Sequence, residues 1–179
     1  DALRLKDSGK MLHAFTEEET NSLKELMLCR RPNWEILFRL YHDQKLNPMS
    51  FLRSEEFLNI LTECCIKDYP YTPFADAFHT MRSMLLPVLY LMGSEVPKAD
   101  VYHAICTGYG GLLACLGGHV YKKKVLLTEH GIYTREREEE IIRAKWVQPA
   151  FKKQWISFFY MLSDIIYTRA FLVSALFTN

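Results

Sequence analysis

The chain has 179 residues and a mass of 21.0 kDa, with 49% hydrophobic, 24% charged and 13% aromatic residues. A chain of that size and apolar content can offset the ordering entropy of a core by burying roughly 70% of its unfolded surface, which excludes the disordered and disulfide-scaffold classes. Lys and Arg number 22 against 21 Asp and Glu, and the resulting +1 sets up no overall field for nucleic acid or an anionic membrane, so an anionic partner must be held locally.

Asp1 to Lys10 mixes both charge signs without an apolar run, so no signal peptide is read there, and a first residue other than Met reads as a piece of something longer. Thr16-Glu17-Glu18-Glu19 has the pattern of a capping box and opens a helix to about Arg30. Asn33 to about Leu46 follows, with Trp34, Leu37, Phe38 and Tyr41 on one face. Asn47-Pro48 breaks the pattern, and Ser54 caps a helix whose apolar face is Phe57, Leu58, Leu61 and Cys65. Beyond Pro73, Phe74 to Met92 is an amphipathic helix carrying Phe74, Phe78, Met81, Leu85 and Leu89, with Pro87 placed to kink it.

The second half changes character. Val101 to Ile105 is a β-prone run, Thr107-Gly108-Tyr109-Gly110-Gly111 a turn, Leu112 to Tyr121 a helix and Lys124 to Thr128 a second strand. Strand, helix and strand in about thirty residues make a βαβ unit with parallel strands. Helices follow from Thr134 to about Lys145 and, with Pro149 in the first turn, from Ala150 to about Arg169; Phe171 to Phe177 is a third strand. Val101 to Tyr121 has no charged residue, but its five glycines and two histidines exclude a membrane span.

Five cysteines, Cys29, Cys64, Cys65, Cys106 and Cys115, are an odd number without regular spacing. They read as reduced thiols of a cytoplasmic protein, buried as small hydrophobes, and they lack the paired Cys-x-x-Cys spacing of a zinc site. Trp34, Trp146, Trp155 and Phe158-Phe159-Tyr160 are assigned to packing, and His103, inside a strand, to the core.

Open parallel sheets place ligands at the carboxyl ends of their strands, so the turns after Ile105 and Thr128 are the candidate site. The first is glycine-rich and opens a helix, where backbone N–H groups and the helix dipole favour an anion; the same glycines also serve tight turning and packing. Gly108-Tyr109-Gly110, with Glu129 about twenty residues on, half fits a dinucleotide fingerprint, whose third small residue is here the bulky Leu113. The second turn carries Glu129-His130-Gly131 and then Tyr133, Arg135 and Arg137. His130 either contacts a ligand or closes a hydrogen bond at the rim. Arg135 and Arg137 lie beside the crevice, where a guanidinium can take a phosphate or carboxylate, while helix-face solvation is the default for Arg137 and for the rest of the run to Glu140.

The segments ADVYHAICTGYGGLL (99–113) and LLTEHGIYTRER (126–137) closely resemble the N-terminal region of the PelF-type glycosyltransferases of bacterial Pel exopolysaccharide synthesis, and the likeness extends over about residues 70–177. The resemblance implies a cytoplasmic retaining GT-B enzyme of two Rossmann-like domains that uses a UDP-sugar, with no cofactor and no metal at the donor site. It implies that His130 approaches the donor sugar as the catalytic histidine. Gly108, Tyr109, Gly110 and Gly111, with Glu129 and Gly131, then line the cleft, and Arg135 and Arg137 contact acceptor or phosphate. The partners implied are a nucleotide-sugar, a saccharide acceptor and membrane-bound exopolysaccharide synthesis proteins, with no nucleic acid.

Family members begin with a strand and a glycine-rich loop that have no counterpart here, and they continue into a C-terminal donor-binding domain holding a glutamate pair. Glu55-x7-Glu63 has the spacing of that pair, but so does Glu17-x7-Glu25, and neither follows a strand. The expectation is therefore one helix-rich, partial Rossmann-like α/β domain fragment, 1–179, with a helical segment (16–92) and a βαβ-containing segment (99–179) forming a short parallel sheet flanked by helices, inactive alone. The alternatives are a non-catalytic interaction module of an exopolysaccharide assembly and a fragment of an NAD-dependent oxidoreductase.

Overall fold

The computed structural model describes residues 13–176, so the reading of Asp1 to Lys10 and the Phe177 end of the last strand lie outside the described residues. The first part is helical. Helix α1 (Glu17–Met27) is opened by the capping box: Thr16 Oγ1 accepts from the Glu19 N–H at 3.3 Å, and the Glu19 carboxylate accepts from the Thr16 N–H at 3.0 Å. Helix α2 (Trp34–Phe38), capped by Asn33, runs into a π-helical turn at Arg39–Asp43 instead of continuing to Leu46. The wider turn brings Leu40 and Tyr41, adjacent in sequence, both into the core.

Asn47-Pro48 does not merely break the chain; it begins helix α3 (Pro48–Leu52). Proline loses nothing in a first turn, whose N–H groups have no helical acceptor, and the Asn47 side chain accepts from the Met49 N–H at 2.8 Å. Helix α4 (Glu55–Asp68) is capped by Ser54 and buries Phe57, Ile60, Leu61 and Cys64, an i, i+3, i+4, i+7 stripe. Leu58 and Cys65, expected on that face, fall outside the stripe: Leu58 is exposed and Cys65 half-buried. Helix α5 (Phe74–Met92) contains Pro87 and buries Met81, Met84, Leu85, Val88, Leu89 and Met92, whereas Phe74, in its first turn, is exposed.

The rest alternates strand and helix: β1 (Val101–Ala104), α6 (Gly108–Tyr121), β2 (Lys124–Glu129), α7 (Tyr133–Arg143), a 3-10 turn at Pro149–Phe151, α8 (Lys152–Arg169) and β3 (Leu172–Ala175). Helix α6 begins at Gly108, four residues before the expected Leu112, so the glycines form its first turn. Among the described residues the sheet has three parallel strands in the order β1-β2-β3, with Val101 opposite Lys124 and Leu126 opposite Leu172. This is a helix-rich α/β fold built on a short open sheet, as the βαβ pattern predicts.

The helices cover one face of that sheet, where Ala104, Val125 and Leu127 are buried. Alternation sends Val101, His103, Leu126, Thr128, Leu172 and Ser174 to the other face. There His103 is exposed, not a core residue, and its Nε2 lies 2.8 Å from Thr128 Oγ1, which is 2.9 Å from Ser174 Oγ. Val101 and Leu172 are about half exposed, and Ile105, just past β1, is 63% exposed.

Two helix glycines set how closely α6 approaches its neighbours. A Cβ at Gly111 would lie 2.9 Å from Ile166 Cγ2 in α8, and one at Gly117 would collide with the Tyr102 ring in β1. That ring cannot easily yield, because its hydroxyl donates to the Pro97 carbonyl at 2.7 Å and accepts from the Ala99 N–H at 3.2 Å.

A charged cluster fastens the helical part to the α/β part. His119 of α6 lies 2.7 Å from Glu35 and 3.6 Å from Asp43, His42 lies 3.1 Å from Asp43, and Arg169 at the end of α8 reaches Glu35 at 2.6 Å. Burial alone would raise both carboxyl pKa values. For Glu35 it is outweighed by Arg169 and His119, and for Asp43 by His42 and His119, so both stay below the ordinary carboxylate range.

All five cysteines are free. Burial pushes Cys64 up to about 11 and Cys115 to about 12, which keeps these thiols protonated and inert. Cys106 departs from the expectation of burial, being exposed after β1. Trp34 and Phe158 are buried as expected, but Trp146 and Tyr160 face solvent. The Tyr160 hydroxyl, on α8, donates to Glu138, and Trp146 stands on the connection after α7. Among the described residues no helix is long and apolar enough to cross a membrane.

Two outcomes follow from this packing. Gly117→Ala should lower unfolding free energy by about 1–3 kcal/mol in chemical denaturation, although alanine in place of glycine ordinarily favours a helix by about 1 kcal/mol. The depressed carboxyls contribute stability that is present above their unfolded value of about 4 and lost as pH falls through their lower folded values. The melting temperature should therefore drop between about pH 5 and about pH 3, and Glu35→Gln with Asp43→Asn should flatten that drop.

Candidate functional site

Because β1 and β2 are adjacent and parallel, the turns leaving them emerge side by side. In the first, the Thr107 hydroxyl does not cap the helix; it lies 2.7 Å from Ser163 Oγ of α8, and both groups are buried. The first-turn amides of α6 therefore have no side-chain cap. Gly108 has φ +69°, a left-handed conformation that a side chain would strain. Gly110 is exposed, with the Cys106 thiol 3.3 Å from where a Cβ would stand. Tyr109 is half-buried, edge-on to Phe158 at 6.2 Å, and burial pushes its hydroxyl up to about 12. Gly111 lies one step deeper, buried against Ile166.

The second turn runs from His130 to Ile132 into α7. Tyr133, the first residue of α7, lays its ring over Gly108, with its hydroxyl 2.6 Å from the site of a Gly108 Cβ. The same ring packs edge-on to Phe159 at 6.2 Å and lies under the Arg137 guanidinium at 5.5 Å. Burial raises the Tyr133 pKa, and the Arg137 charge works against that rise.

Arg137 is half-buried and bonds to Glu140 at 2.6 Å, while its Nε is buried with no partner among the described residues. Arg135 projects outward to Glu139 at 3.6 Å. Glu136 folds back over Gly131, its Oε1 lying 2.6 Å from where a Cβ would be. Glu129, on the helix-covered side of β2, accepts the Tyr167 hydroxyl at 2.6 Å, and burial together with that carboxylate holds the Tyr167 pKa well above its usual value. His130 is exposed and, among the described residues, has no hydrogen-bond or ion-pair partner.

One lip therefore gathers the start of α6, Gly108, Tyr109 and Gly110, with Tyr133 and Arg137. Glu129, His130 and Gly131 stand at the neighbouring strand tip, and Gly111 and Arg135 lie off the lip in opposite directions, inward and outward. Sequence reasoning places Tyr133 in the second turn, inside the LLTEHGIYTRER run, without giving it a role of its own, and it gives none to Cys106. Uncapped amides, a helix dipole and a half-buried guanidinium suit an oxyanion or phosphate, and an unengaged imidazole can donate or accept a proton. Among the described residues no three His, Cys, Asp or Glu side chains are grouped to hold a metal ion. A groove of about 630 Å³ lies elsewhere, between the end of α1 and α8, beside Cys29, Arg30 and Tyr160.

These turns fall within a family match that spans residues 3–179, to the domain of unknown function DUF3492. The chain belongs to this family. No curated protein and no solved structure gives a match.

The geometry at Gly108 separates two costs. Gly108→Ala should destabilise the fold by about 2 kcal/mol or more, from the left-handed backbone and the collision with Tyr133 together. Adding Tyr133→Ala relieves only the collision, so relative to Tyr133→Ala alone the glycine substitution should still cost about 1–2 kcal/mol in denaturant unfolding.

Proposed function

We propose that this chain is the acceptor-side, N-terminal part of a retaining UDP-sugar-dependent glycosyltransferase of the PelF type, working in the cytoplasm in bacterial exopolysaccharide synthesis. The observation that carries the reading is the juxtaposition of two turns at neighbouring strand tips: an uncapped glycine helix start and an exposed, unengaged histidine. In an open parallel sheet such a crest is where a ligand sits.

In this reading His130 approaches the donor sugar, where its imidazole can support the charge that develops as the glycosidic bond to UDP breaks. The amides at Gly108 to Gly110, with Arg137, meet a phosphate or an acceptor oxygen; Arg135 and the backbone around Glu129 and Gly131 complete the rim, and Gly111 supports the turn from behind. The donor's nucleotide is held by a second domain, and the saccharide acceptor and membrane-bound synthesis proteins are the remaining partners.

One observation favours a second reading, an interaction module. The uncovered sheet face, with Val101, Ile105 and Leu172 exposed, is the kind of surface a partner covers. The NAD reading needs Glu129 for a ribose, and that carboxylate is engaged with Tyr167.

The test is sugar transfer from a UDP-sugar by the longer polypeptide containing this region. His130→Ala should lower turnover by about 100-fold or more while leaving the melting temperature unchanged. Equal turnover in the variant would overturn the role of His130. The 179 residues alone should transfer no sugar, and transfer by them would overturn the division into two domains.

A further inference from the structure

A second concave surface lies away from the strand tips, where α5 meets the connection between α7 and α8. It is a groove of about 310 Å³, lined by His79, Thr80 and Ser83 of α5, by Trp146 and Gln148 of the connection, and by Trp155 of α8. That volume is at the lower end of ligand-sized cavities, roughly 300–1,000 Å³. Two buried side chains, Val147 and Phe151, give it a fixed floor.

Three properties define what fits it. The first is aromatic: Trp146 is 67% exposed, yet it is held edge-on to Trp155 at 5.6 Å, and Trp155 stacks on Phe159 at 6.0 Å. A lone exposed indole needs no explanation, but two indoles backed by a packed row of rings form a rigid apolar wall. The second is the lack of charge, since no Asp, Glu, Lys or Arg is among the described residues lining the groove. The third is uncommitted polarity: the side chains of His79, Thr80 and Gln148 and both indole N–H groups make no hydrogen bond to the described residues. Ser83 alone is engaged, donating to the Thr80 carbonyl at 2.8 Å.

An ionic ligand finds no counter-charge here, and a purely apolar one would strip water from amide, imidazole and hydroxyl groups without replacing their hydrogen bonds. The fitting chemistry is a neutral saturated ring with an apolar C–H face for the indole and a rim of hydroxyls for the polar groups. We propose that this groove is a saccharide-binding subsite, distinct from the strand-tip lip, that holds one or two units of a neutral oligosaccharide against Trp146. The groove chemistry carries the inference on its own, whether or not the strand tips transfer sugar.

The exposed indole supplies the readout. The 179-residue chain is titrated with maltotriose and with N-acetylglucosamine trisaccharide, following tryptophan fluorescence and its quenching by acrylamide. At least one sugar should give a saturable shift and protect Trp146 from quencher. Trp146→Ala should abolish the shift, Gln148→Ala should weaken apparent affinity by about tenfold, the loss of roughly one neutral hydrogen bond left unmade, and Trp146→Phe should keep measurable protection of Trp155, the other indole of the groove. UDP should neither shift the fluorescence nor compete. The absence of a saturable shift with both sugars, equal binding by Trp146→Ala, or competition by UDP would each overturn the proposal. His130→Ala should leave the titration unchanged, so a flat titration of the 179-residue chain, when transfer by the longer polypeptide depends on His130, sinks the groove alone, and an intact titration when the longer polypeptide transfers no sugar sinks the strand-tip reading alone.

Discussion

The close approach of α6 to its neighbours is the constraint on which the α/β half depends. With only hydrogen on Gly111 and Gly117, the helix is drawn against Ile166 on one side and the Tyr102 ring on the other. That spacing lets one helix lie between β1 and α8 at the same time, and β1 and β2 can then pair in parallel beneath it. The α6 start and the second turn become neighbours as a result. Gly108 thus supplies backbone conformation together with room for the Tyr133 ring, while Gly111 and Gly117 supply clearance.

The helical part is attached by different forces. Apolar packing runs continuously from α1 through α5 into α6 and α8, and the charged cluster around His119 and Arg169 sits where the two parts meet. Dispersion and burial supply most of the cohesion, while the charges fix which surfaces meet, since unpaired carboxylates at a half-buried seam would be costly.

Much of this arrangement is written in local chemistry. The capping box at Thr16, the caps at Asn33 and Ser54, the βαβ spacing and the order of elements through β3 are all readable, because each rests on neighbours within a few residues. What is not readable depends on distant partners. That Gly111 meets Ile166, that Thr107 turns to Ser163 instead of capping its helix, and that His103 faces solvent are set by α8 and by which sheet face the helices cover. The same holds for Trp146: composition marks it for a core, and only the path of the chain after α7 brings it out. At the candidate site, the run from Leu126 to Arg137 located the second turn, but the ring of Tyr133 lying across Gly108 is a tertiary fact with no sequence signal of its own.

The sheet itself carries a last implication. Among the described residues the helices lie on one side of it and the outer borders of β1 and β3 have no strand partner. Further strands or an additional helical layer could be laid onto it without moving a buried atom. The polar row formed by His103, Thr128 and Ser174 would then stand at the middle of a sandwich, with the hydrogen bonds that link its members already in place. Such a platform can be extended by accretion, its foundation staying as it is while new architecture is set upon it.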